Sequence, residues 1–204
     1  MSATASTTLD PAFFARDVVE VARDLIGCSL NVGARGGRIV ETEAYDESEP
    51  ACHAHVGRTA RTAPLFGPPG HAYVYLSYGI HELFNVVTGP EGHGAAVLVR
   101  ALRPERGLEE IRARRPGRPD RELCSGPGRL TLALGIGLAH NNAPLFAGGN
   151  GAGRVARPVI GPRGEGEVPA IDVGRRIGIT KAAELPWRFC QRDSPWISPP
   201  RPAL

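Results

Sequence analysis

The chain has 204 residues, of which 42% are apolar, enough for one domain with a sizeable core. No apolar run is long enough for a transmembrane helix, and the opening Met1-Ser2-Ala3-Thr4-Ala5-Ser6 lacks the basic start and apolar centre of a secretory signal. Four cysteines (Cys28, Cys52, Cys124, Cys190) stand far apart with no Cys-x-x-Cys, which argues against a disulfide scaffold or a zinc ribbon. The expected setting is reducing and cytoplasmic, with nucleoid association in a bacterium.

The net charge is +3, and Lys181 is the only lysine, so the basic side is almost wholly arginine. Residues 100–129 carry nine Arg against five acids. A stripe of that kind suits a polyanion, and it equally suits a solvated helix and loop.

Asp10-Pro11 reads as an N-cap and first turn, followed by Phe14, Val18, Val21, Ala22 and Leu25 at helical spacing and by Gly27 as the stop. One helix is therefore expected from Asp10 to about Gly27. Segments 38–45, 72–78, 83–88 and 95–102 read as strands. Helices are expected over 104–115 and from Ser125-Gly126-Pro127 to about Leu134. Residues 147–168 read as a flexible Gly-rich loop, a short strand is expected near 176–180, and 199–204 as a frayed tail. The expected fold class is α+β. It is a single domain over 1–204, with a curved, mostly antiparallel β-sheet, surrounding helices and a protruding β-hairpin.

Strand alternation places Glu41, Glu43 and Tyr45 on one face and Val40, Thr42 and Ala44 on the other. Such carboxylates are either ordinary surface groups or a base placed to activate water. Three of the four tyrosines fall in Tyr73-Val74-Tyr75-Leu76-Ser77-Tyr78. Tyr75 can line a pocket, and Tyr78 can project from a hairpin tip as a minor-groove wedge would; packing alone also favours tyrosine in strands. Leu98 and Arg100 share a face of their strand, so Arg100 can pair with a carboxylate. Asn85, between Phe84 and Val86, can read a ligand edge or satisfy a backbone group. His53 and His55 have metal-like spacing but no second ligand cluster in the sequence, so no metal and no cofactor is expected. The turn Ser125-Gly126-Pro127-Gly128 either caps a helix or holds a phosphate.

Taken in order, several strings resemble the alkyladenine (methylpurine, 3-methyladenine) DNA glycosylase family. They are Gly37-Arg38-Ile39-Val40-Glu41-Thr42-Glu43-Ala44-Tyr45, Ala51-Cys52-His53, Tyr73-Val74-Tyr75-Leu76-Ser77-Tyr78-Gly79 and Asn85. They continue with Val97-Leu98-Val99-Arg100-Ala101-Leu102, Asp120-Arg121-Glu122-Leu123-Cys124-Ser125-Gly126-Pro127, Arg188-Phe189 and Ser194-Pro195-Trp196. The resemblance implies a monofunctional DNA glycosylase of base excision repair. Glu43 would be the catalytic base, with Arg100 holding the water and keeping Glu43 ionised. Tyr45, His53 and Tyr75 would sandwich a flipped base, with Asn85 and Leu98 lining the same pocket and Tyr78 intercalating. The helix opening at Ser125 and the nearby arginines would meet phosphate. The implied partner is double-stranded DNA containing damaged purines, bound by a monomer away from membranes. The Gly-rich 147–168 stretch and the Ile80-His81 turn depart from the family pattern. A lesion-binding module without catalysis, and a metallohydrolase built on His53 and His55, are the competing readings.

Overall fold

The structure, a computed structural model, describes residues 8–146, 156–164, 166 and 168–202. Its centre is β2 (Arg35–Asp46), which pairs along its whole length with β5 (Ala95–Arg106). The other edge of β2 is shared. Its first half pairs with β1 (Cys28–Val32), and residues 41–43 pair with β8 (Arg188–Gln191). Beyond β5 come β4 (His81–Val87) and then β3 (Ala72–Ser77). β6 (Pro158–Arg163) flanks β1, and β7 (Ile171–Gly174) flanks β8. Every pairing is antiparallel, so the described residues form one eight-stranded sheet, open rather than closed into a barrel, with four α-helices. The α+β expectation holds, and so does the protruding hairpin. Only Asn85–Val87 of β4 pairs with β5, so the rest of the β3–β4 hairpin runs past the sheet.

The expected first helix is two helices. α1 (Pro11–Phe14) ends at Ala15, and Asp17 then starts α2 (Val18–Asp24) by accepting from the Val19 and Glu20 amides at 2.9 and 3.2 Å. A second N-cap inside an apolar periodicity breaks the helix without breaking its buried face. α2 packs on β2 and β5, where Thr42 Oγ1 donates to the Ala22 carbonyl at 2.7 Å. Phe14, Val21, Leu25, Ile39, Ala44, Val97, Val99 and Leu102 form the main core with α3 and α4 residues Ile111, Leu130 and Leu134.

The helix expected over 104–115 is shorter, because β5 runs on to Arg106 and α3 covers only Leu108–Arg114. Pro104 lies opposite Gly37 where the register slips, so its missing N–H interrupts no regular ladder. Gly107, at φ +63°, makes the turn into α3. α4 (Pro127–Leu134) starts where expected.

The 147–168 loop is only in part testable: 147–155, 165 and 167 lie outside the described residues, while Pro158–Arg163 is strand β6, paired to β1. The strand expected at 176–180 is instead β7 at Ile171–Gly174. The tail expected to fray from 199 makes hydrogen bonds at Pro200 and Arg201. Arg188 Nη1 donates to the Pro200 carbonyl at 2.9 Å, and Arg201 Nη2 donates to the Ser194 carbonyl at 2.9 Å.

Alternation on β2 also needs one correction. The register slips around Glu41, so Ile39, Thr42 and Ala44 face α2, while Val40 packs with Ala101, Cys190 and Ile197 away from that core. Register shifts lie on both sides of Glu41, yet Glu41, Glu43 and Tyr45 keep a common face: Arg100 bonds both glutamates, and the Tyr45 hydroxyl bonds Glu43.

Candidate active site

A cavity of about 870 Å³ opens between β3, β5, the turn at His53–Val56 and the loop after β7. Tyr45, His53, Tyr75, Tyr78, Asn85, Leu98 and Arg100 all line it. Glu43 does not line the wall. It is wholly buried just behind, and its neighbours Tyr45, Arg100 and Ile177 supply the surface in front of it.

Central pairing explains that position. Glu43 sits opposite Leu98 on one side and Arg188 on the other, so it is fixed by two strands at once. A carboxylate buried there must be hydrogen-bonded. Oε2 accepts from Arg100 Nη1 at 3.1 Å and from the Tyr45 hydroxyl at 2.9 Å, and Oε1 accepts from the Ile177 amide at 2.7 Å. Burial pushes the Glu43 carboxyl above the usual carboxylate range; Arg100, the Ile177 N–H and the Tyr45 hydroxyl pull it back, and Glu41 adds to the rise. Burial would lower Arg100, but Glu43 and Glu41 beside it more than reverse that, so the guanidinium stays charged. Burial and Glu43 hold the Tyr45 phenol protonated, as a donor must be.

Glu41 has a different set of partners. Its Oε1 accepts from Arg100 Nε at 3.0 Å and Arg188 Nε at 2.8 Å. Its Oε2 accepts from the Ser198 amide at 2.6 Å, and the Ser198 hydroxyl lies 2.8 Å from both oxygens. Arg100 therefore forks between the two glutamates, with Glu41 fixing its orientation. Sequence reasoning placed Glu41 on the right face but gave it no role. It missed Ser198 entirely, because the contact spans 157 residues.

The aromatic wall starts with β3. Tyr73 and Tyr75 lie two apart on one strand face and stack at 5.4 Å between centroids. His53 enters from the turn capped by Cys52, whose Sγ accepts from the Ala54 amide. His53 Nδ1 lies 3.1 Å from the Tyr73 hydroxyl, and its ring meets Tyr75 edge-on at 4.5 Å. A planar base between two rings needs roughly 7 Å, two van der Waals contacts. His53 and Tyr75 are thus in contact with each other, and a base slot between these two opens only if the rings part. Burial and the nearby Arg61 lower His53, which is therefore neutral at neutral pH. Burial pushes Tyr75 up to about 12. The wall is uncharged and rich in π density.

Asn85 satisfies a backbone group from the cavity wall. Its Nδ2 donates to the Tyr73 carbonyl at 3.1 Å, and the residue lines the cavity. His53 and His55 part company, since His55 Nδ1 lies 2.8 Å from the Glu47 carbonyl. Among the described residues no three His, Cys, Asp or Glu side chains are grouped as metal ligands.

Tyr78 stands at the cavity mouth, 90% exposed. The turn Ser77–Ile80 is closed by the Ile80 amide on the Ser77 carbonyl at 3.1 Å, with φ +50° at Tyr78 and +73° at Gly79. Two positive φ values suit a hairpin whose turn must match strand twist, and only glycine takes them without cost. Tyr78 is held left-handed at the tip. Leu76 and Ile80 are exposed beside it.

The cavity is also lined by Arg115, Arg118, Arg129 and the Gly126–Gly128 entry to α4, where Gly128 lies against His81 of the hairpin. The α4 N-terminus has no side-chain cap and no acid in its first turn. Burial, Arg129 and Arg118 lower the Arg115 guanidinium, the mark of a cationic cluster short of anions.

A family model described as methylpurine-DNA glycosylase matches residues 12–195. A protein of Rhodopseudomonas palustris strain HaA2 is 54% identical over 188 residues, 92% of this chain and 89% of its own. A second, from R. palustris strain CGA009, is 51% identical over 93% of this chain and 87% of its own. A third, from Bradyrhizobium diazoefficiens, is 50% identical over 95% of this chain and 92% of its own. All three bear the name "Putative 3-methyladenine DNA glycosylase". With the family model covering most of the chain and relatives half identical to it over nearly their whole length, the chain belongs to the methylpurine-DNA glycosylase family and is a DNA glycosylase.

Proposed function

We propose that the protein is a monofunctional glycosylase of base excision repair, acting as a monomer on double-stranded DNA. It flips an alkylated or deaminated purine into the cavity and hydrolyses the N-glycosidic bond. The observation that carries this reading is Glu43, a buried carboxylate held by Arg100, the Tyr45 hydroxyl and the Ile177 amide directly behind an aromatic cavity.

A base inside a duplex cannot be reached, so it must leave the stack at a cost of a few kcal/mol. Tyr78, exposed at the tip, fills the vacated space. The rim of Arg115, Arg118, Arg129 and the α4 N-terminus holds backbone phosphate. Tyr45, His53 and Tyr75 stack the base, and their uncharged π faces suit an electron-poor alkylated purine. Asn85 and Leu98 shape the pocket edge.

As the bond from C1′ to the base nitrogen breaks, both electrons leave with the base and positive charge grows on the sugar. Glu43 stabilises that charge and takes a proton from the water that attacks C1′. The products are a free base and an abasic deoxyribose. Water reaches Oε2 by displacing one of the two donors there, and Arg100 can then hold water and carboxylate together. Lys181, the only lysine, is not a lining residue, which favours water over an amine nucleophile. The relatives' names point to 3-methyladenine among the lesions.

The test is base release from duplexes carrying one alkylated adenine, hypoxanthine or ethenoadenine, with chelator present. Release by native protein and none by Glu43→Gln is expected. Tight lesion binding without release would replace this reading with the capture module.

A further inference from the structure

Arg176, in the loop after β7, has no role in the chemistry above, yet its side chain is fully buried. Nη1 donates to Glu49 Oε1 at 2.6 Å and to the Ala44 carbonyl at 2.9 Å, and Nη2 donates to the Ala182 carbonyl at 3.1 Å. Nε is buried with no partner among the described residues. The guanidinium lies 4.6 Å from the Tyr45 ring centroid and 5.3 Å from that of Trp187. A buried cation with an unused donor is costly, and apolar packing would serve stability as well or better.

Its neighbours give that cost a purpose. Tyr45 and Ile177 supply two of the three donors on Glu43, and Arg176 touches both segments. It stacks on the Tyr45 ring, it bonds the carbonyl of Ala44 next to Tyr45, and it precedes Ile177 in the chain. We propose that Arg176 is a positioning residue that holds the Tyr45 hydroxyl and the Ile177 amide against Glu43, and so fixes how that carboxylate is aimed. The inference rests on reading Glu43 as the base. Stacked cation density also makes the Tyr45 phenol a better donor. The charged and titratable groups around Glu43 are Arg100 on β5, Glu41 and Tyr45 on β2, Tyr75 on β3, and Arg188 and Cys190 on β8, with Arg176 behind Tyr45.

Two variants test it, Arg176→Lys and Glu49→Gln, the second keeping the Arg176 side chain should the first fail to fold. The readouts are the single-turnover rate at saturating protein on a hypoxanthine duplex, its pH profile, and affinity for a duplex with a tetrahydrofuran abasic analogue. Both variants are expected to lose about tenfold in rate, the effect of one hydrogen bond to a charged group. Their duplex affinity should stay within about twofold of native, a loss confined to the chemical step. The acidic limb should move to higher pH, because donors that favour the ionised carboxylate are loosened. A limb that stays in place, with loss confined to active fraction and melting temperature, would overturn the role of Arg176. Native protein that releases no base would overturn the reading of Glu43 instead, so the two failures are distinguishable.

Discussion

Glu41 and Glu43 stand two residues apart on one strand and share one face, and both are wholly buried. Their surroundings differ in kind. Glu41 is enclosed by two guanidinium groups and by the amide and hydroxyl of Ser198, on the side closed by the C-terminal segment. Glu43 has one guanidinium, a phenol and a backbone amide, all on segments that line the cavity. Burial of a carboxylate therefore does not mark a base; what marks it is which donors surround it and what lies beyond them. Arg100 joins the two, with Glu41 as its anchor and Glu43 as its working partner.

The sharpest break in that comparison comes from Glu43→Gln and Glu41→Gln. The first keeps shape and removes the proposed base, so base release should fall by about 10²–10⁴-fold, the usual worth of general base catalysis, with lesion binding kept. A small rate loss would make the two glutamates equivalent. Glu41→Gln should act on the fold instead, costing about 3–5 kcal/mol because Arg100 and Arg188 lose their common anion. Thermal or denaturant unfolding measures this, and a stable but inactive Glu41→Gln would reverse the assignment. Tyr78→Ala should touch neither glutamate and should weaken binding to flipped-base DNA by about 1–3 kcal/mol, as for one stacked base. Unchanged affinity would remove Tyr78 as the wedge. The smallest effect is expected from Ser198→Ala, about 1–3 kcal/mol of stability from hydrogen bonds to a charged group, offset in part by the amide bond that remains. A rate loss larger than its stability loss would mean that the Glu41 side of the network also tunes the chemistry.

Much of this site was legible in the sequence because it lies on regular strands. Alternation put Glu41, Glu43 and Tyr45 together, and it paired Leu98 with Arg100. Tyr78 was legible from Gly79 beside it. The parts that were not legible come from contacts between distant segments. Arg176 opens the stretch expected as a short strand, and only the fold buries it against Glu49 and Tyr45. Ser198 directly precedes the expected frayed tail and carries no motif, yet its amide holds Glu41. The register slip beside Glu41, which turned Val40 away from the α2 face, has no local signature because Arg38 to Ala44 reads as unbroken strand. β6 was hidden by its Pro and Gly, which signal turns unless an edge strand such as β1 is free to pair. The contact between His53 and Tyr75 was equally invisible, since it depends on how the turn after Cys52 packs on β3.

Glu43, and not its neighbour, is proposed to take the proton from water. Because its carboxyl lies above the usual range, Glu43 becomes protonated at a higher pH than an exposed glutamate as the solution is acidified, and base release should fall with it. The deciding measurement is the pH dependence of single-turnover release of hypoxanthine from duplex DNA by native protein and by Glu43→Gln. Native protein should show an acidic limb above the ordinary glutamate range, and the residual activity of the variant should show none. A variant that releases base at the native rate, or that keeps the same limb, would contradict that role for Glu43.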